Sequence, residues 1–192
     1  MKYNEIIKLN SDLETVTNSP RYRIAVISNI MVHQSKEICE YFLRLESINA
    51  EVLLGGYDNI VQDSERFQDV DSVVCFWETC NFVDGFQYKS ESFSAIEFTN
   101  IVEKIKAEID LVLINLNKTP LVLINKFSSL IFDQFGLSNN RLSQMVKDLN
   151  AYLELVAGIN VRIIDVDKVI SILSIRSSID LRYYYSSKTL YS

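Results

Sequence analysis

Histidine occurs once, as His33, which excludes a multi-histidine metal site. Cysteine is scarce and odd in number: Cys39, Cys75 and Cys80 form no C-x-x-C pair and no Cys/His grouping, and two of them lie in or beside apolar runs. That usage points to free thiols in a reducing cytoplasm. Glycine-rich signatures are missing too. There is no G-x-S-x-G elbow, no G-x-G-x-x-G and no P-loop, and "LLGGYDN" has too few glycines to cradle a phosphate. Positive charge is short: a net charge of −6, with the charged residues scattered rather than blocked, leaves no footprint for nucleic acid or an anionic membrane surface. The longest apolar stretches, "LVLIN" and "VRIIDV", fall far below the ~20 residues a membrane span needs. The polar, helix-patterned amino terminus is unlike a signal peptide. What remains is a 192-residue chain with 48% apolar side chains, five glycines and two prolines, long enough for one well-buried core and without sign of a second.

Residues 1–20 read as an amino-terminal helix and linker, with Ile6, Leu9 and Leu13 on one side of the helix and Pro20 breaking the pattern. The main domain, 21–192, opens with the strand "YRIAVIS". A helix follows over 35–47, with Ile38, Tyr41, Phe42 and Leu45 at helical spacing, and "AEVLLGG" is a second strand ended by two glycines. "SVVCF" is the third strand. A long helix from Phe93 to Leu116 carries a continuous apolar stripe, "LVLIN" is the fourth strand, a helix from Asn140 is one that Gly158 can terminate, and "VRIID" is the fifth strand. Short apolar strands alternating with amphipathic helices predict an α/β fold, a three-layer α/β/α sandwich on a five-stranded parallel sheet.

Open sheets of this kind hold ligands at the carboxyl ends of their strands. The candidates there are Ser28 and Asn29, Gly55 and Gly56, Trp77, Glu78 and Asn81, Asn125 and Lys126, and Asp165 and Asp167. Most are ordinary turn residues. "FWETCN" is not: an exposed tryptophan beside a glutamate makes no turn. His33 is a conceivable general base with no nucleophile evidently paired to it. "IIDVDKV" has the look of a haloacid-dehalogenase nucleophile motif, but such an enzyme needs further ligands from later strands, and only some two dozen residues follow Asp167. Asp165 is therefore expected to end the strand and Asp167 to cap the next helix.

In order, "RIAVISNIMVHQ", "INAEVLLGGYDNIVQD", "FWETCN" and "SIDLRYYYSSKTLYS" resemble the amino-terminal domain of the FkbH-like proteins, the subfamily IIIC haloacid-dehalogenase (HAD) phosphatases. The last string matches an Asp-x-Arg-x-Trp/Tyr-Tyr-x-x-Lys segment of that family. The resemblance implies an SGNH-hydrolase-like, flavodoxin-like fold, with a magnesium-dependent HAD domain following in the parent protein and no cofactor in this chain. It also implies how the site has changed. Where a working SGNH hydrolase has Gly-Asp-Ser, this chain has Ser28, Asn29 and Ile30; Gly55 or Gly56 matches the oxyanion glycine, Asn81 the second donor, and Asp180 with Tyr183 stands in the place of Asp-x-x-His. A phenol with a pKa of about 10 is a poor base at neutral pH. The expectation is a pocket that binds without catalysis, with Ser28, Asn29, Gly55, Gly56, Trp77, Glu78, Asn81, Asp180 and Tyr183 around it. Trp77 would be its apolar wall; alternatively Trp77 packs beneath the rim and Glu78 pairs with Arg182 or Lys126. Partners implied are the protein's own HAD domain and an acyl carrier protein or a small acyl or phosphoryl substrate. Two other readings are a divergent hydrolase, with Ser28 as nucleophile assisted by His33 or Glu78, and a module that docks the phosphatase half through "RYYYSSKTLYS".

Overall fold

Five short parallel strands form one sheet in the order β2-β1-β3-β4-β5 in the computed structural model, which describes residues 2–16, 19–83, 85–130 and 140–191. The strands are β1 (Tyr22–Ser28), β2 (Ala50–Tyr57), β3 (Ser72–Phe76), β4 (Leu121–Asn125) and β5 (Val161–Ile164). Around them lie α1 (Tyr3–Val16), α2 (Ser35–Leu45), α3 (Ile60–Arg66), α4 (Phe86–Lys89), α5 (Ala95–Asn115), α6 (Arg141–Val156), α7 (Val166–Leu173), α8 (Ile175–Ser178) and α9 (Leu181–Ser187). Of the expected linker, residues 17–18 fall outside the described residues. The α/β class and the parallel five-stranded sheet are those that the alternation of apolar strands and helices predicts.

One sheet face buries Ala25, Ile27, Val73, Cys75, Val122 and Ile124 with the apolar stripes of α5 and α6. The other buries Ile24, Val26, Ala50 and Val52 with Cys39 and Leu43 of α2 packed against them. Burying these strands on both faces is what their unbroken apolar runs require, since no face of such a strand suits water. The α5 helix starts at a capping box. Ser94 Oγ accepts from the Glu97 N–H at 3.2 Å, and Glu97 Oε2 accepts from the Ser94 N–H at 2.8 Å. Replacing Ser94 by alanine should lower unfolding stability by about 1 kcal/mol, measured by urea denaturation, without changing the fold.

Three expected details differ. In α2 the apolar residues Phe42 and Leu45 are 54% and 51% exposed, while Glu40 and Arg44 are buried. Tyr41 is buried as expected, but the inward face is partly polar: Glu40 Oε1 accepts from the Val52 N–H at 2.9 Å, and Arg44 donates to Asn10 Oδ1 at 2.7 Å and to the Ala50 carbonyl at 3.0 Å. This network docks α1, whose Ile6 and Asn10 are buried while Leu9 is exposed. Asp165, rather than Asp167, caps α7, accepting from the Lys168 N–H at 3.0 Å. Gly158 follows α6 without adopting a left-handed conformation; the helix ends at Ala157, whose backbone is extended.

Candidate functional site

At the carboxyl ends of β1, β3 and β4 the backbone runs out of ladder partners, and two asparagines supply them. Asn29, following β1, accepts from the Glu78 N–H at 2.7 Å and donates to the Glu78 carbonyl at 2.8 Å. Asn125, ending β4, accepts from the Trp77 N–H at 2.6 Å and donates to the Trp77 carbonyl at 3.2 Å. Side-chain amides thus extend the sheet by one rung on each side of the Trp77–Glu78 dipeptide. A primary amide carries both an acceptor and donors, which is why this residue type suits the task.

Trp77 is therefore buried at 4% exposure and is not the exposed residue the sequence led us to expect. Its ring packs edge-on against Phe82 and Phe127 at centroid distances of 6.1 and 6.2 Å. Glu78, 2% exposed, pairs with neither Arg182 nor Lys126. Its Oε1 accepts from Tyr191 Oη at 2.5 Å and from Asn125 Nδ2 at 3.3 Å. Burial pushes the Glu78 carboxyl up to about 7; the Tyr191 hydrogen bond opposes this and the nearby Asp167 adds to it. Asp167 is itself raised by burial, and its Oδ1 is buried without a hydrogen-bond partner.

The residues expected to line a hydrolase-derived pocket are engaged with one another. Ser28 Oγ donates to the Phe76 carbonyl and accepts from the Ile30 N–H, both at 3.0 Å. Ile30, which the resemblance aligns with a nucleophile, is 1% exposed. The Gly56 N–H donates to Asp63 Oδ2 at 2.6 Å, so an internal carboxylate takes the donor that the resemblance would give to a substrate oxyanion. Gly55 leaves room for that carboxylate, since a Cβ there would lie 2.5 Å from Asp63 Oδ2. Asn81 donates to the Asn29 carbonyl, and its Oδ1 accepts from Tyr184 Oη at 3.0 Å. Ser28, His33, Gly55 and Gly56 share only a crevice of about 10 Å3, the space of a single water.

The carboxyl-terminal segment does reach this region, through different residues than expected. Tyr183 is 59% exposed, whereas Tyr184 is 1% exposed and donates to Asn81. Asp180 caps α9, accepting from the Arg182 N–H at 3.0 Å, and pairs with the Arg182 guanidinium at 2.6 Å. Tyr191 and Tyr184, which sequence reasoning left out, are the phenols of this segment that meet the tryptophan loop. Cys80 beside them is buried, and desolvation pushes its thiol up to about 12, which leaves it unreactive at neutral pH.

A larger cavity of about 650 Å3 lies next to this clamp. It is lined from the segment after β1 and the first turns of α2 (Val32, His33, Ile38, Cys39), from Phe76 at the end of β3, from α7 (Val166, Val169, Ile170, Leu173) and from Ser177, Ser178, Thr189 and Tyr191. Among the described residues no three His, Cys, Asp or Glu side chains gather as a metal site, and no helix is long and apolar enough to cross a membrane.

Among solved structures the chain is similar to the N-terminal part of the protein BF1531 from Bacteroides fragilis, a crystal structure containing a phosphatase domain complexed with Mg. The TM-score is 0.75 at 12% sequence identity, and the match covers 100% of this chain and 52% of that one. The chain thus spans about half the length of the structure it matches. The likeness is one of fold, and it fits the fold expected of an FkbH-like amino-terminal domain. No family model matches the chain, and no curated protein matches it by sequence.

Proposed function

We propose that this chain is the SGNH-like amino-terminal domain of an FkbH-like, subfamily IIIC HAD phosphatase-type protein, and that it carries out no ester chemistry of its own. It recognises a substrate or carrier for the phosphatase half, or holds that half in position; magnesium and phosphoryl transfer belong to the other domain. The observation that carries this reading is the internal use of every inherited polar group. The Ser28 hydroxyl, the Gly56 N–H and the Asn81 amide all bond within the fold, and Ile30 fills the nucleophile's place. Oxyanion donors act by facing a developing charge with their hydrogen bonds free, and these do not. The fold likeness to a phosphatase-containing chain supports the family assignment, and the three free cysteines support a cytoplasmic setting.

Purified protein should release no product from short acyl esters above the buffer rate, and Ser28→Ala should leave that unchanged. The same substitution should cost about 1 kcal/mol of stability in urea, because it removes one partner of the Ile30 N–H and of the Phe76 carbonyl. Ester turnover that disappears in Ser28→Ala would overturn the reading in favour of a divergent hydrolase.

A further inference from the structure

The cavity between α2 and α7 supports an inference that stands apart from the family reading. Its volume of about 650 Å3 falls within the roughly 300–1,000 Å3 of small-molecule sites. It is lined by the segment leaving β1 and by the last residue of β3. These are neighbouring strands between which the chain reverses its direction of travel across the sheet, β2 lying on the far side of β1. Open α/β sheets hold their ligands at that switch point. The lining is also selective in charge. In a chain with 23% charged residues, none of the described residues lining the cavity is Asp, Glu, Lys or Arg. Ile38 of α2 and the aliphatic side chains of α7 form one wall, and the polar groups present, the Gln34 amide, the His33 imidazole and the hydroxyls of the serines, Thr189 and Tyr191, belong to neutral or weakly basic side chains.

We propose that this cavity binds the hydrocarbon chain of an acyl group carried on an uncharged ester, thioester or amide link. A flexible alkyl chain fits aliphatic walls by burying its own surface, which gives affinity without directional partners. Of the hydroxyls, those of Tyr191, Ser177 and Ser178 already donate within the fold, and that of Thr189, which accepts from Ser187 Oγ at 3.2 Å, is the one placed to donate to a carbonyl. A phosphorylated small molecule fits poorly, because a phosphate would lose its water and meet no counter-charge. The cavity therefore separates acyl from phosphoryl ligands, and it takes the first.

The test is a titration of the full chain with methyl cis-parinarate, a fluorescent and uncharged fatty-acid ester, followed by displacement with methyl decanoate or with phosphoglycerate. Saturable binding reversed by methyl decanoate and untouched by phosphoglycerate is expected. Val169→Trp, which fills the cavity from the α7 wall, and Leu173→Glu, which sets a carboxylate on it, should each weaken binding at least about tenfold. Leu173 is 61% exposed, so its replacement leaves folding intact and keeps the test decisive should Val169→Trp unfold. Absence of saturable binding to the unaltered chain, displacement by phosphoglycerate, or unchanged affinity in a variant that keeps its melting temperature would overturn the proposal.

Discussion

Asn125→Ala lowers the free energy of unfolding by about 4 kcal/mol in urea denaturation, a larger loss than most surface or capping changes bring. The amide holds the Trp77 N–H at 2.6 Å and the Trp77 carbonyl at 3.2 Å, and both are buried at the end of the sheet. Alanine leaves the two groups without partners and out of reach of water, at about 1–3 kcal/mol each. The Trp77, Phe82 and Phe127 cluster rests on that loop, so near-ultraviolet circular dichroism should weaken in the same variant. Asn125→Asp distinguishes the amide's two halves. It keeps the acceptor for the Trp77 N–H but removes the donor and sets a second carboxylate against Glu78 Oε1, now 3.3 Å from Asn125 Nδ2. Its stability should therefore fall further as pH rises. A loss under about 1 kcal/mol in Asn125→Ala would mean that the clamp is ornamental to the fold.

Stability of the unaltered protein should decline as pH rises through the range in which Glu78 titrates. Its carboxyl has a folded pKa of about 7 against an ordinary value of 4.5, so the folded state holds its proton where the unfolded chain has released it. Folding is then favoured least above about pH 7. Between about pH 4.5 and 7 the group withdraws about 3 kcal/mol, and at lower pH, where both states are protonated, it withdraws nothing. Asp167, also raised by burial, contributes in the same direction. Glu78→Gln keeps an oxygen to accept from Tyr191 and Asn125 but carries no charge. It should flatten the profile and be the more stable protein at about pH 8. Denaturant midpoints collected across this range provide the check, and an equally steep decline in Glu78→Gln would rule out this carboxyl as its source.

The strands were legible because each is a continuous apolar run, and α5 and α6 were legible because their stripes repeat every three or four residues. What escaped has a common cause. The buried side of α2 sets Glu40 and Arg44 beside Tyr41, and that of α3 sets Asp63 and Ser64 beside Ile60, so both inward faces mix polar with apolar residues, and α3 gave no stripe at all. Such faces are specified by hydrogen-bond partners on other elements, which no helical periodicity encodes: Glu40 by Val52 and Asn10, Asp63 by Gly56. The tryptophan loop failed in the same way, since the asparagines that bury it stand 48 and 49 residues away. Counting from Asp180 led to Tyr183, as the resemblance implied. Each residue of a helix turns about 100° from the last, and in α9 that phase brings Tyr184 to Asn81 while Tyr183 faces solvent.

The Asp63 carboxylate on the Gly56 N–H has a consequence for engineering. Installing a serine at position 30 would place an alcohol at a site sealed from solvent, beside a backbone donor already neutralised by an acid. On the proposed SGNH-like reading, esterase chemistry would require evicting that acid and opening the seal at the same time. Neither change helps without the other, so on that reading a hydrolase lies more than one substitution away.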